Sequence, residues 1–114
     1  MIVTVIGSSK FKDLILENAK ALTLNGHIVF VPCVFPHSGD EISEEQHIAI
    51  GNTVRQEISM SDGVLVINPD NYIGASTYGY IDWAIKNNKQ ISFLETPPEL
   101  VAEESAEEES QEQE

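Results

Sequence analysis

Cysteine, cationic side chains and long apolar runs are all scarce in this chain of 114 residues. Cys33 is the single cysteine. It can form no intrachain disulfide and no multi-cysteine metal site, which fits a reducing, intracellular setting. Lys and Arg number 6 against 19 Asp and Glu, for a formal charge of −13. Sequence-independent binding to nucleic acid needs clustered cations, and so does attraction to an anionic membrane surface. Neither partner is expected. No stretch approaches the roughly 18 apolar residues of a membrane-spanning helix. The N-terminus has no charged segment leading into an apolar run of signal length. A cytoplasmic protein is expected.

The charge is unevenly spread. From Glu99 onward there are eight Glu and no Lys or Arg, so 11 acidic and 6 basic residues remain in the body, for a charge of −5. The segment from Thr96 to the end is nearly free of bulky apolar side chains and reads as a disordered acidic tail. Residues 1–95 read as one domain. A mildly acidic body still admits a small anionic ligand, because backbone N–H groups hold phosphate without cationic side chains. No His or carboxylate pair has convincing ligand spacing, so no metal and no other cofactor is expected.

What is present is a regular alternation of apolar runs and amphipathic stretches. Met1–Gly7 is a β-branched run ending in glycine, as in a buried strand entering a tight turn. Ser8 or Ser9 can cap a helix carrying Phe11, Ile15, Ala19 and Leu22 at helical spacing, which Asn25-Gly26 closes. His27–Pro32 is a second strand. Ser43 and Gln46 have the spacing of a capping box, which predicts a helix over 44–59 with Ile48, Ile50, Val54 and Ile58 as its apolar members. Gly51 inside it suggests close packing. Gly63–Asn68 is apolar on both faces and predicts a central strand. A loop from Asn68 to Thr77 leads to a helix over 78–87, and Gln90–Leu94 is the last strand.

The order βαβαβαβ predicts an α/β fold, a small doubly wound, Rossmann-like (flavodoxin-like) parallel sheet with strand order 2-1-3-4. Winding then reverses between the first and third strands. A crevice opens there at their carboxyl ends, the usual ligand site of such sheets. The segments that would line it are Gly7-Ser8-Ser9, Cys33–Ser38 with His37, and Asn68–Thr77 with Asp70, Tyr72, Gly74, Ser76 and Thr77. Each has a plainer reading: Gly7-Ser8-Ser9 as a turn and cap, Ser76-Thr77 as an N-cap, His37 as a surface histidine. Trp83 reads as core, His27 and His47 as surface residues, and Asp62 as structural at the opposite end of the sheet.

Several stretches together resemble one family. They are Ile6–Phe11, Leu22–Phe30, Val34–Asp40, Glu44–Gln46, Ile58–Asp62, Val66–Pro69 with Tyr72–Thr77, and Ala84 with Lys89. Over residues 1–95 the chain is similar to the nucleoside 2-deoxyribosyltransferase-like family, which includes nucleotide N-glycoside hydrolases. The resemblance implies a nucleotide or nucleoside ligand, homo-oligomers, and cleavage of an N-glycosidic bond. A Glu near the start of the third helix would attack the anomeric carbon, with carboxylates nearby. It also implies ligand contacts from Gly7, Ser8, Ser9, Phe11, His37, Asn68, Tyr72, Gly74, Ser76 and Thr77. Tyr80 stands where that Glu belongs, in Ser76-Thr-Tyr-Gly-Tyr80-Ile-Asp-Trp-Ala84, and Asn68 stands where the transferases carry Asp. A phenol ionises near pH 10 and is a poor nucleophile at pH 7. Asp82 lies about 200° round a helix from residue 80, so Asp70 is the nearer substitute carboxylate. The leading expectation is a nucleotide- or nucleoside-binding protein that has lost its chemistry. The alternatives are an active N-glycosidase or deoxyribosyltransferase using another carboxylate, and an interaction module acting through its tail or oligomer surface.

Overall fold

A computed structural model describes residues 1–31 and 41–96. The chain forms β1 (Ile2–Gly7), α1 (Lys12–Leu24), β2 (Ile28–Phe30), α2 (Glu44–Met60), β3 (Gly63–Ile67), α3 (Ala75–Lys86) and β4 (Gln90–Phe93). Short 3-10 turns at Ser9–Phe11 and Pro69–Asn71 lead out of β1 and β3. The four strands make one all-parallel sheet in the order β2-β1-β3-β4. This is the doubly wound fold expected from the alternation of elements, with β1 and β3 central. Among the described residues no helix is long and apolar enough to cross a membrane. The Cys33–Ser38 segment with His37, and the acidic tail from Pro97, lie outside the described residues.

Alternation along the central strands divides the core into two layers. Ile6, Val64 and Val66 pack with Val54 and Ile58 of α2 and Ile81 and Ala84 of α3. Val5 and Ile67 face the other way, onto Ile15 of α1. One helix therefore covers one face and two helices cover the other. Every one of these side chains is at least nine-tenths buried. At the amino end of the sheet Asp62 exchanges bonds with Ile2: its carboxylate accepts from the Ile2 N–H at 2.7 Å and its own N–H donates to the Ile2 carbonyl at 2.7 Å. Asp62 is structural, as the spacing suggested.

The capping box at the start of α2 is complete. The Gln46 N–H donates to Ser43 Oγ at 3.2 Å, and the Ser43 N–H donates to Gln46 Oε1 at 2.8 Å. Ile50, Val54 and Ile58 face the core. Ile48 does not: it is 59% exposed, because it lies some 200° from Ile50 on the helix. The start of α3 also differs from the sequence expectation. The helix begins at Ala75 rather than Tyr78 because Gly74, extended at φ −74° and ψ 165°, takes the capping position. Ser76 and Thr77 are therefore inside the first turn and are not its caps.

Candidate functional site

The carboxyl ends of β1 and β3 lie side by side, with Gly7 opposite Ile67. A Cβ on Gly7 would stand 3.0 Å from the Ile67 carbonyl oxygen and 3.1 Å from its Cβ. The obstacle is backbone and cannot swing aside. Gly7→Ala is expected to cost about 1–3 kcal/mol, the range for overpacking a tight interior. Urea unfolding measures it, and an unchanged midpoint would mean that the strands part without strain.

Beyond Gly7 the chain turns through Ser8, whose hydroxyl accepts from the Lys10 N–H at 3.4 Å. This turn meets the loop that follows β3. The Phe11 and Tyr72 rings pack edge to face, with centroids 5.7 Å apart. The Lys10 ammonium lies 3.4 Å from the Tyr72 centroid and 5.2 Å from that of Phe11. An ammonium over a ring face is held by the ring quadrupole. Two of the expected ligand residues, Phe11 and Tyr72, are thus brought together, and Lys10 joins them. Tyr72 stays 45% exposed, and its hydroxyl lies 3.8 Å from where a Cβ on Gly74 would stand.

The stretch from Asn68 to Asn71 is a scaffold. Asn68 is fully buried. Its Nδ2 donates to the Glu95 carbonyl at 2.7 Å, and its Oδ1 accepts from the Glu95 N–H at 2.9 Å. Asp70 and Asn71 adopt left-handed backbone, with φ of 55° and 60°. Asp and Asn tolerate that region better than most residues. The Asp70 N–H is held by the Glu95 carboxylate at 2.8 Å. The end of β4 therefore pins the loop that delivers the chain to α3.

At the start of α3 no side chain caps the helix, and the first intrahelical bond runs from the Tyr78 N–H to the Gly74 carbonyl. The first-turn amides face the carboxyl end of the sheet, an arrangement that suits a negatively charged group. Ser76 is exposed there, whereas Thr77 is buried. A cleft of about 530 Å³ opens between α2 and α3. From α3 it is lined by Ser76, Gly79 and Tyr80. From α2 it is lined by Glu44, His47, Gly51 and Arg55. The Arg55 guanidinium carbon stands 5.9 Å from the Tyr80 ring centroid. Trp83, half-buried one turn further along α3, donates from Nε1 to the Arg55 carbonyl at 3.1 Å and to Ser59 Oγ at 3.2 Å, tying the two helices together.

The expected site residues therefore fall into two groups. Gly7, Ser8, Ser9, Phe11, Tyr72 and Gly74 ring the switch point, while Ser76 and Tyr80 belong to the cleft. Asp70 does not line the cleft, and Asp82 is exposed and paired with Lys86 at 2.9 Å. The carboxylate on the cleft wall is Glu44. Glu44, Gly51 and Arg55 were not singled out from the sequence as site residues, and His47 read as an ordinary surface residue. Their signal is a shared stripe at 44, 47, 51 and 55, the three-to-four residue spacing of one helix face. Among the described residues burial raises the Glu57 carboxyl above its ordinary value, but Glu57 does not line the cleft.

Neither a protein-family model nor a curated protein matches this chain.

Proposed function

We propose that this protein binds a nucleotide or nucleoside on a deoxyribosyltransferase-like fold and has lost the glycosidic chemistry of that family. The observation that carries the reading is Tyr80. It lies on the wall of the α2–α3 cleft, one helical turn from Ser76, at the position where the resemblance calls for a carboxylate nucleophile. A phenol that ionises near pH 10 does not attack an anomeric carbon at neutral pH without strong activation. Binding is supported by a parallel sheet with its switch point between β1 and β3, an α3 start without a side-chain cap, and an aromatic pair across the crevice.

An active N-glycosidase is the second reading. The observation in its favour is Glu44, a carboxylate that shares the cleft with Tyr80. One experiment separates the two. The protein is titrated by calorimetry with nucleosides and their 5′-monophosphates, and each mixture is followed for hours by chromatography for free base. The expected result is saturable binding without base release. Ser76→Ala should weaken binding about two- to tenfold, the value of one hydrogen bond to an exposed hydroxyl. Base release lost in Glu44→Gln would decide for the enzyme, and absence of any binding would remove both readings.

A further inference from the structure

The two faces of the sheet are unequally covered. Two helices pack on the face that carries Ile6, Val64 and Val66. On the other face, among the described residues, α1 packs alone, through Ile15 onto Val5 and Ile67. The consequence is visible in β3, a central strand. Gly63, Val64, Val66 and Ile67 are buried, while Leu65 is only half-buried. Beside it lies a groove of about 260 Å³ over the starts of β3 and β4, lined by Val3, Leu22, Leu65, Gln90 and Ser92. Gln90 and Ser92 are exposed, whereas Ile91 and Phe93 turn to the opposite core. Strand alternation puts Leu94, 36% exposed, on the groove's face further along β4.

Two stretches lie outside the described residues, 32–40 and 97–114. The first connects β2, at the far edge of the sheet, to α2 on the opposite face, so neither of its ends is at the groove. The second follows β4, the strand that forms the groove's outer wall. Its point of departure is fixed. The chain bends at Leu94 and Glu95, where the Asn68 side chain holds both the N–H and the carbonyl of Glu95. Beyond Leu94 the only bulky aliphatic residues are Leu100 and Val101. Pro97 and Pro98 fix φ at about −65° and push the residue before each toward extended backbone. In an extended run Pro98, Leu100 and Ala102 share one side, and Val101 points to the other. The four residues from Thr96 to Leu100 span at most about 13–14 Å. Ser92 lies the same four residues back from Thr96 along β4, so Leu100 has the reach to return to it.

We infer that Leu100 seats in this groove, with Pro98–Ala102 running back over the exposed face of β3 and β4. Leu100 then covers Leu65, which α1 leaves half-bare, and the glutamates from Glu103 onward stay in water. The inference concerns the face of the sheet opposite the α2–α3 cleft and does not depend on the nucleotide reading.

The test uses the full chain. Leu100→Asp should lower the melting temperature by about 5 °C or more, the scale set by one buried leucine in a domain of this size. Val101→Asp adds the same charge at the next residue and should leave the melting temperature unchanged. The second measurement is proximity. In a Cys33→Ser background, Ser92→Cys combined with Leu100→Cys should form a disulfide within one chain on oxidation with diamide. Lys86→Cys combined with Leu100→Cys places the first thiol on α3, at the opposite face, and should not. The inference requires both results. Natural melting of Leu100→Asp, or an equal fall in the two aspartate variants, would overturn it. A disulfide between chains instead of within one would overturn it in favour of a second copy as the occupant. No disulfide above the Lys86→Cys control would show that the tail lies elsewhere.

Discussion

Asn68→Asp is expected to destabilise the protein by about 2–4 kcal/mol, although the two side chains have nearly the same shape. The reason is that Asn68 is used at both ends. Oδ1 accepts from the Glu95 N–H at 2.9 Å, and an aspartate oxygen would do the same. Nδ2 donates to the Glu95 carbonyl at 2.7 Å and, more weakly, to Asn71 Oδ1 at 3.4 Å. In the variant an oxygen would face two oxygens, in a site with no exposed surface. The Glu95 carbonyl would lose its partner, and the Glu95 carboxylate, already bonded to the Asp70 N–H, would add like charge. A buried charge without a compensating donor costs several kcal/mol. For a domain of this size that corresponds to a fall of about 10–25 °C in melting temperature. Asn68→Ala removes the same bonds without introducing charge and should cost less. Thermal unfolding of both variants decides the matter. If Asn68→Asp melts with the natural protein, the clamp does not hold the loop. The amide at this position therefore follows from its use as a clamp on the segment just past β4.

The fold was legible because its physical signals are local and consistent. Apolar β-branched runs ending in Gly7 and Asn68 announce buried parallel strands, and the Ser43–Gln46 box announces the start of α2. Once four strands alternate with helices, right-handed crossovers leave few strand orders. What was misjudged is equally physical. Ser76 and Thr77 look like caps, but Gly74 can adopt the extended capping conformation with no side chain at all, so the helix starts three residues earlier. Ile48 is one of the apolar members of α2, and its angular position puts it in solvent. The α2 half of the cleft was the least legible part. Gly51, His47 and Arg55 each have an ordinary explanation alone, and only the packing of α2 against α3 brings their stripe to Tyr80. Asn68 shows the converse: a polar residue on a candidate binding loop that is spent on internal hydrogen bonds.

On the proposed function, Tyr80→Glu is expected to give slow release of free base from a nucleoside or 5′-monophosphate, and the natural protein is expected to give none. The variant should fold, because Tyr80 is only half-buried and sits at the margin of the α2–α3 core. Loss of the ring's apolar contact should cost about 1–2 kcal/mol. A shorter glutamate would end near the space now filled by the ring, within reach of Arg55, whose guanidinium carbon stands 5.9 Å from the ring centroid. An adjacent guanidinium favours the ionised carboxylate, which is the form that attacks an anomeric carbon. Retaining glycoside cleavage also needs a second carboxyl group about 5–5.5 Å away to handle the proton. Glu44 shares the cleft, but from the first turn of α2 it stands eleven residues, about 16 Å along the helix, from Arg55, too far to complete that pair. Its distance along the cleft and the absence of an acid at Asn68 are the reasons to expect a slow rate. Tyr80→Gln is the control of matching shape and should bind ligand without releasing base. Adding Glu44→Gln to Tyr80→Glu should leave the rate unchanged, because Glu44 stands too far along α2 to handle the proton. Tyr80→Glu that binds as tightly as the natural protein and yet releases no base over days would show that the nucleophile is not the only part missing, and that this cleft is built for holding its ligand.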